Sequence, residues 1–252
     1  MKVRHFGQTD IGLRRSNNED AYLADGPLGL YVVCDGVGGR LGGEVASSNA
    51  VRLIWEWIRQ ESGVLRIAAA TPTEATLMRV GHVMRGAIQH ASYMITEQGL
   101  QDPEHEGMST TVSAFVLVGG HIVFGQVGDS RIYLSRHGVN QQITEDHTLI
   151  GFKLKHGLIS PSDAETSRER HIITRAVGQH AYVEVDIATM AVQPGDKLLL
   201  CSDGLHDYLQ SSDELETIMS PPIETGVHRA IDFAKGLGGK DNITALIVEF
   251  YS

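Results

Sequence analysis

Three apolar runs in this chain each stop on an aspartate, and that repeated arrest limits the possible folds more than any other feature. Residues 30–34 run into Asp35-Gly36, 121–127 into Gly128-Asp129-Ser130, and 197–201 into Ser202-Asp203-Gly204. Each run has the length and apolar content of a buried strand. A carboxylate at the end of such a strand is costly to bury alone, so it requires a cation or a hydrogen-bonding partner. Asp241 has the mirror position just before the apolar run 243–251, and Glu19-Asp20 likewise precede 21–25. Strand ends gather at a sheet's rim, which places these acids to converge on one edge.

The segments between them define the class. Apolar residues at Ala50, Val51, Ile54, Trp57 and Ile58 keep helical spacing within 43–60. Leu77, Val80, Met84, Ile88, Ala91 and Ile95 do so within 73–98. From Thr110 to Val118 the period changes to two, which predicts a half-buried strand. Gly119-Gly120 and His137-Gly138 are two-residue hairpin turns. Residues 183–192 read as another strand, while 212–219 and 223–237 read as helices. Residues 145–170 are polar, charged and irregular, with Pro161 and room for short helices, a candidate flap over a site. Strands, two long helices, a run of strands, short helices and a final strand do not alternate as a parallel sheet demands. The order fits an α+β fold with antiparallel sheets covered by helices.

Composition narrows the function classes. The 252 residues, 42% of them hydrophobic, suffice for one substantial core, so 1–252 is expected to be a single domain. A formal net charge of -10 argues against nucleic acid as the main partner, because phosphate binding wants a basic footprint. No apolar stretch nears the roughly 20 residues a membrane span requires, and the N-terminus lacks an apolar leader. Cys34 and Cys201 alone provide no disulfide framework, which suits a reducing cytoplasm.

Several carboxylates on one rim repel each other, and some must stay protonated at neutral pH unless cations intervene. Carboxylate-rich oxygen sites suit hard ions such as Mg²⁺ or Mn²⁺. Any single Asp-Gly is an ordinary turn. The set is more specific. Arg15-Ser16-Asn17-Asn18-Glu19-Asp20, Val33-Cys34-Asp35-Gly36-Val37-Gly38-Gly39, Gly128-Asp129-Ser130-Arg131, Cys201-Ser202-Asp203-Gly204-Leu205 and Lys240-Asp241-Asn242-Ile243-Thr244 resemble, in order, the motifs of the metal-dependent protein serine/threonine phosphatases (type 2C). Met108-Ser109-Thr110-Thr111 and Thr174-Arg175-Ala176-Val177-Gly178 resemble the intervening motifs.

The resemblance implies a four-layer αββα sandwich and a centre of two Mn²⁺ or Mg²⁺ ions, with room for a third. By motif position Asp35 bridges both ions, the Gly36 carbonyl binds one, and Asp203 and Asp241 bind the other. Glu19 and Asp20 bind directly or through water, Asp129 with Asp203 forms the third site, and Arg15 holds the substrate phosphate. The implied reaction is in-line hydrolysis of phosphoserine or phosphothreonine by a hydroxide bridging the ions, in which Asp20 and Asp35 are catalytic. The implied partners are phosphoproteins and a separate Ser/Thr kinase, and the implied state is a monomer. One departure stands out: many eukaryotic members carry a proton-donating His where this chain has Val37, and bacterial members often lack it too.

Two readings compete: a pseudophosphatase that only binds phosphoproteins, and a narrow phosphatase for an anti-sigma-type regulator. No metal acid is missing, which disfavours the first. No Gly-Lys-Ser/Thr follows the glycine cluster and no paired Cys or His-Glu-x-x-His occurs, so a P-loop and a zinc site are not supported. His147 and His206 read as structural or surface residues, and Cys201 as a buried thiol rather than a redox switch.

Overall fold

Among the described residues, eleven strands form two antiparallel sheets packed face to face. One sheet has the order β1 (Lys2–Asp10), β11 (Ile243–Tyr251), β10 (Lys197–Cys201), β7 (Arg131–Arg136) and β8 (Val139–Gln142). The other has the order β2 (Asp20–Asp25), β3 (Leu30–Val37), β5 (Val112–Val118), β6 (His121–Val127) and β9 (Asp186–Ala191), with the short β4 (Ser109–Thr110) paired to β3. The computed structural model describes residues 1–37, 42–160, 163–164, 167, 169, 171–209 and 211–252. Gly38 and Gly39 of the second motif, and part of the 145–170 stretch, lie outside the described residues.

Alternation along the strands builds the layers. Tyr31, Val33, Phe115, Leu198, Leu200, Leu246 and Val248 point between the sheets. Their neighbours Leu30, Val32, Val112, Ala114 and Val116 point outward, onto α1 (Gly42–Gln60), α2 (Ser62–Ala70) and α3 (Glu74–Gln101). On the opposite side Leu199, Cys201, Ala245 and Ile247 meet α6 (Ser212–Met219) and α7 (Ile223–Gly236). Each fully buried aliphatic side chain contributes about 1.5–3 kcal/mol, so three apolar clusters hold four layers together. The result is the αββα sandwich implied by the motifs.

Three details differ from the sequence reading, and one bears it out. β5 is buried on both faces, not half-buried, because helices cover one side and the second sheet the other. The helical region after residue 60 includes α2, whose Leu65 and Ala68 alone are fully buried; so thin a stripe leaves little periodic signal. The polar 145–170 stretch holds a short helix of the kind expected there, α4 (Leu149–Lys155), begun by Thr148, whose side chain accepts from the Gly151 N–H. Asp203 does not end a strand: β10 stops at Cys201, and Asp203 opens the one-turn helix α5 (Asp203–His206). The Cys201 side chain lies in the helix-facing cluster.

Both hairpins are tight. Gly119 and Gly120 have φ +54° and +78°, and His137 and Gly138 have +53° and +76°, the left-handed pair that a two-residue turn requires. β1 and β11 pair along their whole lengths, from Lys2 opposite Tyr251 to Asp10 opposite Ile243.

Both cysteines have no exposed surface, and burial pushes the Cys201 thiol up to about 12 and Cys34 still higher. Iodoacetamide at pH 8 should therefore label neither thiol in the native protein and both after denaturation. Rapid native labelling of Cys201, read by mass spectrometry, would reinstate the redox switch.

Candidate active site

The strand order brings the acids together at one end of the sandwich. Asp20 and Asp35 are cross-strand partners on β2 and β3, and Asp35 shares the parity of Tyr31 and Val33, facing the opposite sheet. Asp20 spans the gap between sheets. Its Oδ2 accepts from Thr244 Oγ1 (2.6 Å) and Ser202 Oγ (2.7 Å), both in or next to strands of the other sheet. Its Oδ1 is buried with no partner, and so is Asp203 Oδ1. Asp203 is carried on α5 to within hydrogen-bonding reach of Asp35, an approach that two carboxylates make only by sharing a proton or a cation.

A cavity of about 470 Å³ opens onto this cluster. Arg15, Glu19, Asp35, Gly36, Val37, Asp203 and Asp241 line it, while Asp20 and Asp129 sit buried behind the lining. Arg15, Glu19, Asp20, Asp35, Gly36, Asp129, Asp203 and Asp241 are thus in or against one site. The Arg15 guanidinium rests on the Asp241 carboxylate at the mouth.

Burial and mutual repulsion dominate the electrostatics. Burial, more than the neighbouring Asp203 and Asp241, raises Asp20 to about 7 against the pull of its two hydroxyl donors. Asp129 reaches about 7, from burial and then Asp203, and Asp203 about 6, from burial and then Asp241. Burial, and then Asp20, Asp203 and Asp129, push Asp35 well above the usual carboxylate range, and burial raises Glu19. A protein that concentrates this many reluctant anions, two with orphaned oxygens, presents a donor set fitted to hard dications.

The intervening motifs position these groups. Thr111 Oγ1 accepts from the Asp35 N–H (2.9 Å), and the Asp35 carbonyl accepts from the Thr111 N–H (2.8 Å) and Thr110 Oγ1 (2.9 Å). Thr110 in turn exchanges main-chain bonds with Val177, which ties in the second intervening motif. Asn242 Oδ1 accepts from the Glu19 N–H, and Asn242 Nδ2 donates to the Ile11 and Asn17 carbonyls. Buried His147 accepts from the Gly128 N–H through Nδ1, and buried His206 donates from Nε2 to the Asp129 carbonyl. The two histidines brace the Gly128-Asp129 loop, and neither lines the cavity.

Sequence reasoning gave no site role to His171, Ile173, Asp207, Tyr208 and Lys240, which with Gly204 complete the lining. Lys240 was visible beside Asp241. His171 carried no signal, since only the return of the chain after the 145–170 stretch brings it to Asp203 and Asp207.

Gly36 cannot carry a side chain. A Cβ there would stand 2.2 Å from the Gly43 carbonyl oxygen and 2.6 Å from that of Glu19. Backbone cannot yield as a side chain can, so Gly36→Ala should cost roughly 2–4 kcal/mol, read as a drop in the urea midpoint. A midpoint unchanged from wild type would show that the backbone yields there after all.

The type 2C protein phosphatase family model matches residues 13–230. Serine/threonine protein phosphatase PstP of Mycobacterium tuberculosis is 32% identical over 249 residues, covering 99% of this chain and 45% of its own length. Serine/threonine phosphatase stp of Listeria monocytogenes is 34% identical over 246 residues, 96% of this chain and 94% of that protein. The crystal structure of the M. tuberculosis phosphatase superposes with a TM-score of 0.87 at 31% identity, covering 100% of both chains. A structure of the PstP catalytic domain in complex with 2 manganese ions gives 0.82 at 31% identity over 99% of each chain. The chain belongs to the protein phosphatase 2C family. It spans less than half the length of the mycobacterial relative and nearly all of the Listeria one.

Proposed function

We propose that residues 1–252 form a single catalytic domain that hydrolyses phosphoserine and phosphothreonine in proteins with the help of two Mn²⁺ or Mg²⁺ ions. One observation carries this reading: buried Asp20 and half-buried Asp35 and Asp203 converge in a cluster whose charges conflict and two of whose oxygens have no partner. The family membership and the manganese-bound PstP domain support it.

Asp35 would hold both ions, with the Gly36 carbonyl on one and Asp203 and Asp241 on the other. Glu19 and Asp20 would complete the shells, and Asp129 with Asp203 would take a third, weaker ion. When bound, such ions supply a lowered pKa for attacking water and positive charge for the phosphoryl oxygens. The chain's own groups do the rest. Thr110 and Thr111 fix the Asp35 backbone, and Ser202 and Thr244 fix Asp20, so the donors are preorganised. Arg15 offers a forked pair of donors at the cavity mouth, suited to a phosphate, and Asp241 holds it there until substrate arrives. Val37, facing the cavity, exchanges no proton.

The partners on this reading are phosphoproteins made by a separate Ser/Thr kinase, met in the cytoplasm by a monomer. No helix among the described residues is long and apolar enough to cross a membrane. Incubating the purified chain with an aryl phosphate and a phosphothreonine peptide, with Mn²⁺ or with EDTA, tests the proposal. Turnover of both that vanishes in EDTA is expected, and none in Mn²⁺ would leave only phosphoprotein binding.

A further inference from the structure

The edge strand β9 is built differently from the other three edges. β1 carries Lys2, Arg4 and His5, β8 is short and polar, and β2 has an acid at both ends where β9 has one at its start only, all devices that discourage a further strand. The middle of β9, Ile187-Ala188-Thr189-Met190, has no charge and no proline. Its register with β6 fixes which main-chain groups are free. Val192 donates to the Gly120 carbonyl, and Met190, Ala188 and Asp186 stand opposite Ile122, Phe124 and Gln126. Main-chain groups alternate sides in an antiparallel ladder, so those of Ile187, Thr189 and Ala191 point away from the sheet. Arg136 Nη2 donates to the Ala191 carbonyl (2.9 Å), as that orientation requires. Those of Ile187 and Thr189 have no partner among the described residues.

A cavity flanks this edge on each face of the sheet. One, of about 550 Å³, lies against α3 and is lined by Leu77, Met78 and His82; the other, of about 410 Å³, is lined by Phe124 and Thr144. Ile187, Ala188 and Arg85 border both. Arg85 is half-buried and has no hydrogen bond or ion pair among the described residues. The nearby acids are already satisfied: Glu145 by Lys155, Asp186 by Arg175, and Glu74 by its place in the first turn of α3.

We propose that the free edge of β9 docks an extended segment of the phosphoprotein substrate as an added antiparallel strand. Its alternate side chains enter the two cavities, and an acidic one meets Arg85. This rests on the phosphatase reading. A second copy of this chain fits less well, because it brings another Arg85 and another net charge of -10. The geometry also sets a direction. β9 starts at Asp186, beside Arg175 and the His147 that bonds to Gly128 at the active-site end. An antiparallel strand therefore runs toward the site with its C-terminal end, and the docking segment precedes the phosphorylated residue.

The test compares phosphothreonine peptides carrying eight randomised residues on the N-terminal side, or on the C-terminal side, with the unextended peptide. The N-terminal pool should yield sequences with an acid among alternating apolar residues, and kcat/KM should rise roughly tenfold, about 1.4 kcal/mol. Thr189→Pro removes one outward N–H and spares the β6 ladder, and Arg85→Glu reverses the charge; each should abolish the gain. Aryl phosphate hydrolysis should stay unchanged in both variants, which also verifies that they fold. Enrichment only in the C-terminal pool, no enrichment, or a gain that survives both variants would overturn docking on β9. A dimer in wild type that Thr189→Pro dissociates would overturn it in favour of self-association. Loss of aryl phosphate turnover in wild type would instead sink the phosphatase reading itself.

Discussion

Asp203→Asn is expected to move two observables in opposite directions. Hydrolysis of an aryl phosphate with Mn²⁺ should fall on the order of 10²–10³-fold, the scale on which one preorganised electrostatic group is worth. The same variant, in EDTA at pH 7.5, should melt at a higher temperature than wild type. Asp203 stands within reach of Asp35 and is itself raised to about 6, so at neutral pH its charge opposes folding. Removing that charge relieves the repulsion, and the amide keeps a hydrogen bond to Asp35. A misfolded variant would lose activity and melt lower, so the pair of readouts separates a lost ion-binding group from a damaged fold. Full activity in Asp203→Asn would end the site assignment.

The second large effect is a pH dependence that metal should cancel. Asp20 and Asp129 sit at about 7 and Asp203 at about 6, each above the ordinary 3.8. Raised folded-state values mean that the folded protein binds more protons than the unfolded chain between pH 4 and 7. The stability these groups confer is complete below about pH 4 and is lost as pH rises through 6 and 7. A tenfold tighter hold on a proton in the folded state is worth about 1.4 kcal/mol, so several kcal/mol are at stake across the cluster. The melting temperature in EDTA should therefore fall between pH 5 and 8 by more in wild type than in Asp203→Asn. Mn²⁺ should restore it at pH 7.5 by binding the folded state alone, with little effect at pH 5, where Asp20, Asp129 and Asp203 are protonated. Equal Mn²⁺ stabilisation at pH 5 and 7.5 would mean that these carboxylates are not the ligands.

Much of this was legible in the sequence, for identifiable reasons. A carboxylate at the end of an apolar run is a local conflict, and the chain repeats it at Asp35, Asp129 and Asp203. Clean hairpin turns at Gly119-Gly120 and His137-Gly138 made the antiparallel class readable from local rules, whereas the period of two in β5 gave the strand but not its burial on both faces. What stayed hidden depends on non-local packing. That α2 is a helix follows from its fit against β5 and α3, not from its short stripe. His171 meets Asp203 and Asp207 only because the chain folds back after the 145–170 stretch. The bracing of the Gly128-Asp129 loop by His147 and His206 needs three segments in register, and no spacing rule records that. The isolation of Arg85 among the described residues is also invisible in sequence, because it depends on which acids its neighbours have already taken.

The pairing of β1 with β11 has a practical corollary. Lys2 and Tyr251 stand side by side, and the 9 residues of β1 then run toward the acids before the chain turns at Gly12. Nine residues of strand span roughly 30 Å. Anything attached at either end, whether an affinity handle, a surface linker or a fused module, thus starts a strand's length from the cavity, on the same side as its counterpart at the other end. Immobilisation through either of these strand ends should leave the mouth of the site open.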